Sequence, residues 1–141
     1  VAAGLPMGAV AVHARHGPLP GGAHGSTFGG NPLLCAAALA ALRAYQEEEL
    51  PRQAAEKGAW LVEQLRALQL PAVREVRGLG LLVGLELKTR VQPALQALLD
   101  AGVLALPAGP NVLRLLPPLV IGYDELALVV AAIARVLGPA R

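Results

Sequence analysis

The first third of the chain ends in a helical pattern of apolar residues. From Pro32 to about Glu49 these residues recur at spacings of four, four and three, which is typical of one face of an amphipathic helix: Leu34, Ala38, Leu42 and Tyr45. Leu50-Pro51 predicts a break, because the residue before a proline avoids helical backbone angles. A second helix is predicted to continue to about Leu70, with an apolar face at Leu61, Leu65 and Leu68.

Beyond Pro71 the pattern predicts strands as well as helices. Dense β-branched and leucine positions from Val73 to Leu87 predict two paired strands with a tight turn. In chain order there follow a helix at Gln92–Ala101 ended by Gly102, strands at Val103–Leu106 and Val112–Leu116, and a helix at Tyr123–Leu137. This alternation predicts an α/β or α+β domain with helices packed on a small sheet. A further short strand is predicted at Val10–Val12.

The break at Pro51 also predicts a domain boundary. The length of 141 residues suits one domain or one and a fraction. We therefore expect residues 1–49 to belong to a larger domain and residues 50–141 to form a small C-terminal domain.

Composition and charge argue against several classes of function. The chain is 55% hydrophobic, enough for a core, and its net charge of +2 with 3% aromatic residues does not favour a nucleic-acid surface. No apolar run reaches the ~18 residues that span a membrane, and the N-terminus lacks the basic region of a signal peptide. The one cysteine, Cys35, excludes an internal disulfide framework and is consistent with a reducing cytosol. Its place in an Ala-rich helix predicts a small core residue rather than a nucleophile.

The stretch from His24 to Pro32 joins a possible anion-binding loop to a capped helix. Its three glycines permit positive φ and close backbone approach, so backbone N–H groups and the hydroxyls of Ser26 and Thr27 can converge on an anion. Asn31 is a preferred N-cap residue and Pro32 fits the first helical position. On spacing alone, a Gly-rich turn before an ordinary helix explains the same residues slightly better.

Two other patterns do not predict binding sites. The glycines of Gly78–Gly84 lie inside a strand pattern, and the third comes one residue too late for a dinucleotide-binding G-x-G-x-x-G motif, so a close-packed hairpin explains them better. His13 and His16 lie in a Pro/Gly-flanked region without a third ligand, which argues against a metal site.

Arg114 is a single charge within the apolar strand Val112–Leu116. Strand alternation alone favours an arginine that points outward, whereas an anion would draw the side chain inward. A guanidinium offers a carboxylate two parallel N–H bonds, which fix orientation as well as supplying charge.

The wording of the loop, His-Gly-Ser-Thr-Phe-Gly-Gly-Asn-Pro, resembles the signature loop of the class-III pyridoxal-phosphate (PLP) aminotransferases, in particular the acetylornithine and ornithine branch. Three more segments resemble that family in the same order: Gly4–Ala9, Arg77–Glu86 and Val112–Ile121. The resemblance covers essentially the whole chain and implies the C-terminal part of a fold-type-I PLP-dependent transferase.

The resemblance implies PLP as the cofactor and assigns roles to three residues. Ser26 and Thr27 match family residues that hold the cofactor phosphate across a dimer interface, so we expect a homodimer with a shared site. Arg114 matches the arginine of an R-x-x-P-P-L segment, which binds a carboxylate of the amino donor or the 2-oxo acid. Arg77 matches a position for which we expect a structural role. No catalytic residue and no metal ligand is assigned within the chain.

The lysine that bonds to PLP in this family has no match here. In the family it precedes a Gly-Gly-x-Pro segment, which would place it just upstream of Val1. Neither Lys57, expected on a charged helix face, nor Lys88, at a strand end, matches it. We therefore expect these 141 residues to be inactive alone.

The resemblance implies a cytoplasmic enzyme of arginine or lysine biosynthesis. When intact, it would transfer the terminal amino group of an ornithine-like or lysine-like donor to 2-oxoglutarate. Acetylornithine is the first choice of donor, and a carrier-protein-bound lysine precursor is the second. Neither a nucleic acid nor a membrane is expected as a partner. An alternative from another class is a non-enzymatic small-domain remnant that serves as a dimerisation or regulatory module.

Overall fold

A computed structural model describes residues 4–139 of the chain. The chain divides into two compact units, of which the first ends at Glu49 and the second begins at Leu50.

The first unit contains a short 3₁₀ helix, Ala14–His16, and helix α1, Pro32–Glu47. The predicted start of α1 is confirmed: Pro32 occupies the first turn, and Asn31 Oδ1 accepts a hydrogen bond from the backbone N–H of Leu34 at 3.1 Å. Cys35 is half-buried within this helix. The strand predicted at Val10–Val12 is wrong. A strand needs a neighbour for its backbone groups, and none of residues 4–139 pairs with this segment.

The second unit begins with the long helix α2, and the predicted break before it is confirmed. Its other helices and strands alternate along the chain: α2 Leu50–Ala67, β1 Val73–Leu79, β2 Leu82–Leu87, α3 Gln92–Asp100, β3 Leu106–Pro107, β4 Val112–Leu115 and α4 Tyr123–Leu137. The four strands form one antiparallel sheet in the order β1-β2-β4-β3. The expected α/β architecture with helices on a small sheet is therefore confirmed.

The glycine-rich segment forms the expected hairpin, with Leu79 of β1 opposite Leu82 of β2. The bounds predicted for β3 are wrong. The backbone N–H of Val103 donates to the carbonyl of Leu98 at 2.8 Å, so Val103 closes the end of α3 instead of starting a strand. Pro107 lies in the edge strand β3, a position where its missing N–H is tolerated.

One face of the sheet forms the core of this unit. Leu85 and Leu113 lie directly opposite each other and are fully buried, together with Leu61 of α2 and Ile133 of α4. The residues that alternate with them on β2 and β4 are more exposed. Because side chains alternate along a strand, those residues share the second face of the sheet. That face carries Arg114.

Candidate active site

The Ser26–Asn31 loop folds back on the side chain of Ser26. The backbone N–H of Gly29 donates to Ser26 Oγ at 3.0 Å. A Cβ on Gly29 would lie 2.9 Å from Ser26 Cβ, so glycine is needed for this approach. The oxygen of the Ser26 hydroxyl accepts the bond, which leaves its hydrogen free to donate to a ligand.

The loop presents a second hydroxyl and is fixed to helix α1. Thr27 is exposed, so its hydroxyl is accessible to a ligand. Asn31 Nδ2 donates to the carbonyl of Phe28 at 2.8 Å, while its Oδ1 caps α1. Two hydroxyl donors thus stand on a loop that is anchored at a helix start, an arrangement that suits phosphate oxygens. The loop residues therefore fit the phosphate of PLP.

Arg114 lies on β4, in the second unit, directly opposite Gly84 of β2 and Leu106 of β3. Its neighbours Leu113 and Leu115 are buried in the core, so Arg114 faces the other side of the sheet, as strand alternation predicts. Its Nε is nevertheless buried and has no hydrogen-bond partner within residues 4–139. A buried donor without an acceptor is unfavourable by about 1–3 kcal/mol, and by more for a charged group. The side chain is therefore a candidate for anion binding.

A groove of about 480 Å³ lies along this face of the sheet, within the range of small-molecule sites. Arg77 and Arg114 line it together with apolar side chains that include Leu79, Leu82 and Val112. Gly84 lies in the row between the two arginines and leaves the middle of the groove open. The groove thus combines an apolar surface with an arginine whose Nε has no partner within residues 4–139, which suits a short aliphatic carboxylate.

The other arginine of the groove is held by carboxylates. Arg77 Nη1 donates to Glu75 Oε2 at 2.7 Å and to Glu86 Oε2 at 3.1 Å, and Arg74 Nη1 lies 3.6 Å from Glu86 Oε1. The hydrogen bonds to Glu86 and Glu75 raise the pKa of Arg77 further above its ordinary value. Arg77 is therefore a permanent cation whose charge is balanced within the sheet, in agreement with a structural role. The Nε of Arg114 has no such partner within residues 4–139.

Lys57 does not lie on a solvated helix face, as its charged surroundings in the sequence predict. Its exposed fraction is 8%, and its Nζ donates to Gln53 Oε1 at 3.0 Å and to the carbonyl of Leu119 at 3.5 Å. The contact with Leu119 joins residues 62 positions apart, so helix periodicity does not reveal it. Lys57 is thus engaged in holding the segment after β4.

The sequence motifs identified Ser26, Thr27 and Arg114 but missed the ion pairs beside Arg114. Alternation along β1 and β2 could have placed Arg77 and Glu86 on one face once the register was known. Within residues 4–139 no group of three or more His, Cys, Asp or Glu side chains is arranged to hold a metal ion. None of the helices formed by these residues has the length and apolar character required to cross a bilayer.

Comparison with known proteins identifies the family. Residues 1–137 match the family described as aminotransferase class-III. A LysW-aminoadipate semialdehyde transaminase from Deinococcus radiodurans is 50% identical over 139 residues, which make up 97% of this chain and 32% of the relative. The crystal structure of an acetylornithine aminotransferase from Elizabethkingia anophelis matches with a TM-score of 0.77 and 36% identity, covering 84% of this chain and 33% of that one.

An amine transaminase from an uncultivated Pseudomonas species, solved in its PLP-bound form, matches with a TM-score of 0.75 and 38% identity over 82% of this chain and 29% of that one. This chain spans about a third of the length of these relatives. The expected fold class, that of the PLP-dependent aminotransferases, is confirmed. PLP is the cofactor of the class-III enzymes, and this chain belongs to the class-III aminotransferase family.

Proposed function

We propose that this chain provides a phosphate-binding loop and a substrate-binding arginine to a PLP-dependent aminotransferase. The amino group would move from the terminal amine of acetylornithine, or of a related ornithine or lysine derivative, to 2-oxoglutarate. The observation that carries this proposal is the buried Nε of Arg114, which has no partner within residues 4–139 although the residue lines an open groove. Such a donor fits the carboxylates that these substrates share.

Ser26 and Thr27 would hold the phosphate of the cofactor. The Ser26 hydroxyl keeps its hydrogen for donation, and the Thr27 hydroxyl is exposed. PLP, when bound, supplies an electron sink that stabilises negative charge at the carbon bearing the amino group. The lysine that bonds to PLP is assigned neither to Lys57, which is engaged with Gln53 and Leu119, nor to Lys88, which is exposed after β2.

Arg114 would orient the substrate by its carboxylate. A guanidinium bonds a carboxylate through two parallel N–H groups, so it fixes both the position and the rotation of the substrate. The apolar side chains Leu79, Leu82 and Val112 would pack against the aliphatic part of the substrate and exclude water from the ion pair. Exclusion of water strengthens that pair, because the local dielectric constant falls.

The amino donor has two candidates. Acetylornithine carries a carboxylate that Arg114 could bind, and a structural match is named for that substrate. A carrier-bound lysine precursor is favoured by the 50% identity with a LysW-aminoadipate semialdehyde transaminase. Comparing the turnover of the purified full-length protein with each candidate donor distinguishes between them.

We place residues 1–49 in the large PLP-binding domain and residues 50–141 in the small domain, with the boundary where the two compact units divide. Ser26 and Thr27 would serve the site of a second subunit in a homodimer. The enzyme would act in the cytoplasm, in arginine or lysine biosynthesis.

Arg114→Lys tests the proposal in the full-length protein loaded with PLP. Lysine keeps the charge but loses the planar fork of the guanidinium. The kcat/KM for 2-oxoglutarate should therefore fall roughly thirty- to a thousandfold, which corresponds to a loss of about 2–4 kcal/mol of transition-state stabilisation. In the half-reaction with the amino donor, a monoamine without a carboxylate should react almost equally with both proteins. Arg135→Lys, at an exposed position on α4, is the matched control. If Arg114→Lys stays within about twofold of wild type for 2-oxoglutarate, well under the tenfold step of 1.4 kcal/mol, the proposal is wrong.

A further inference from the structure

Glu86 lies between two arginines on the open face of the sheet. Gly84 of β2 is directly opposite Arg77 on one side and Arg114 on the other. Glu86 follows Gly84 by two positions on the same strand, so it shares their face and is diagonal to both arginines. Diagonal neighbours in an antiparallel pair lie about 7–8 Å apart, within reach of long side chains. Glu86 can therefore pair with either guanidinium.

In the structure Glu86 pairs on the β1 side. Its carboxylate accepts a hydrogen bond from Arg77 at 3.1 Å and lies 3.6 Å from Arg74. Arg114 has no such bond and keeps its Nε unpaired within residues 4–139. A carboxylate within reach has thus left Arg114 open.

Glu75 makes this pairing depend on Arg77. Glu75 lies directly opposite Glu86, and like charges at such positions repel. Arg77 Nη1 donates to both carboxylates and offsets the repulsion. Without that cation, only the longer, more exposed 3.6 Å contact with Arg74 would oppose the repulsion from Glu75. Glu86 would then shift toward β4, where Arg114 offers a positive charge.

We propose that Arg77 is a positioning residue that holds Glu86 on the β1 side and so keeps Arg114 available for the substrate carboxylate. This inference rests on the proposed role of Arg114. It assigns Arg77 an electrostatic effect on binding across the sheet, in addition to its contribution to the hairpin. Arg77 itself need not touch the substrate.

The test measures binding of glutarate, a dicarboxylate without a reactive carbonyl, by calorimetry on the full-length, PLP-loaded protein. Arg77→Gln should raise the Kd of glutarate about fivefold, because Glu86 then competes for Arg114 with the strength of a partly exposed ion pair. Adding Glu86→Gln to Arg77→Gln should restore the Kd to within about twofold of wild type, because the competing charge is gone. In steady-state kinetics, the KM for 2-oxoglutarate should likewise rise in Arg77→Gln and return toward the wild-type value in the double variant, with kcat less affected.

Arg52→Gln is the matched control, because it breaks another arginine–glutamate pair of 2.7 Å, on α2. It should leave the Kd of glutarate unchanged. The inference is overturned if Arg77→Gln binds glutarate like wild type, or if Glu86→Gln fails to restore binding, since a merely structural role of Arg77 would not be rescued by removing a charge. If Arg114→Lys also leaves glutarate binding unchanged, the proposed function itself fails.

Discussion

Gly58 of α2 and Gly80 of the β1–β2 turn pack backbone against backbone. A Cβ on Gly58 would overlap the carbonyl oxygen of Gly80, so the helix approaches the hairpin as closely as glycine alone permits. This contact fixes the hairpin that carries Arg77 and Glu86 at one side of the groove. The position of the groove wall therefore depends on a residue that lies outside the site.

Gly58→Ala is expected to lower the free energy of unfolding of the chain by about 1–3 kcal/mol, the usual effect of overpacking. The sign is diagnostic, because the same change in an unobstructed helix raises stability by about 1 kcal/mol. Urea unfolding followed by circular dichroism measures the difference. Gly21→Ala is the control, since a Cβ at Gly21 would meet no atom within 4 Å. A more stable Gly58→Ala variant would contradict the prediction.

Local sequence patterns predicted most helices and strands of the second unit. They failed where the bounds of an element depend on pairing with residues distant in the sequence. The amphipathic period of α4 and the glycine-marked hairpin are local properties, so sequence alone locates them. The bounds of β3 depend instead on its pairing with Arg114 and Leu113 and on Val103 closing helix α3. No spacing within the segment carries that information.

The candidate site divides in the same way. Ser26, Thr27 and Arg114 stand in recognisable motifs, and the sequence therefore identifies them. The pairing of Glu86 with Arg77 requires the register of β1 with β2, and the burial of Lys57 requires the contact of α2 with Leu119. Both are tertiary relationships that appear only when the chain is folded.

Asn31 links the loop to α1 by two hydrogen bonds that can be separated by substitution. Asn31→Ala removes the cap and should destabilise the first turn of α1 by about 1 kcal/mol. Asn31→Asp keeps an acceptor for the Leu34 N–H but loses the donor to Phe28, so the helix start should survive while the loop loosens. Hydrogen exchange at the Leu34 amide measures the effect. Unchanged protection in Asn31→Ala would show that the cap does not stabilise the helix.

The 141 residues alone are expected to show no transaminase turnover with acetylornithine, 2-oxoglutarate and PLP. Neither Lys57, whose Nζ donates to Gln53 and to Leu119, nor Lys88, exposed after β2, matches the cofactor lysine of the family. A steady-state assay of the purified chain is the measurement. Turnover that disappears in Lys57→Met or Lys88→Met would assign the cofactor lysine to that residue and reverse the prediction.

Thr27→Val tests whether the loop serves the cofactor phosphate in the full-length protein. Valine preserves the shape of threonine and removes its hydroxyl, so PLP binding should weaken by about 1–3 kcal/mol, the range for a hydrogen bond to a charged group. Thr27→Ser keeps the hydroxyl and should bind PLP nearly as wild type does. Equilibrium titration of PLP measures both, and equal affinity in all three proteins would leave the loop with a purely structural role. Mixed dimers of Thr27→Val subunits and subunits that lack the cofactor lysine show whether Thr27 serves the site of its own subunit or that of the partner subunit. If Thr27 acts across the interface, the lysine-bearing site beside the unsubstituted loop should retain wild-type affinity.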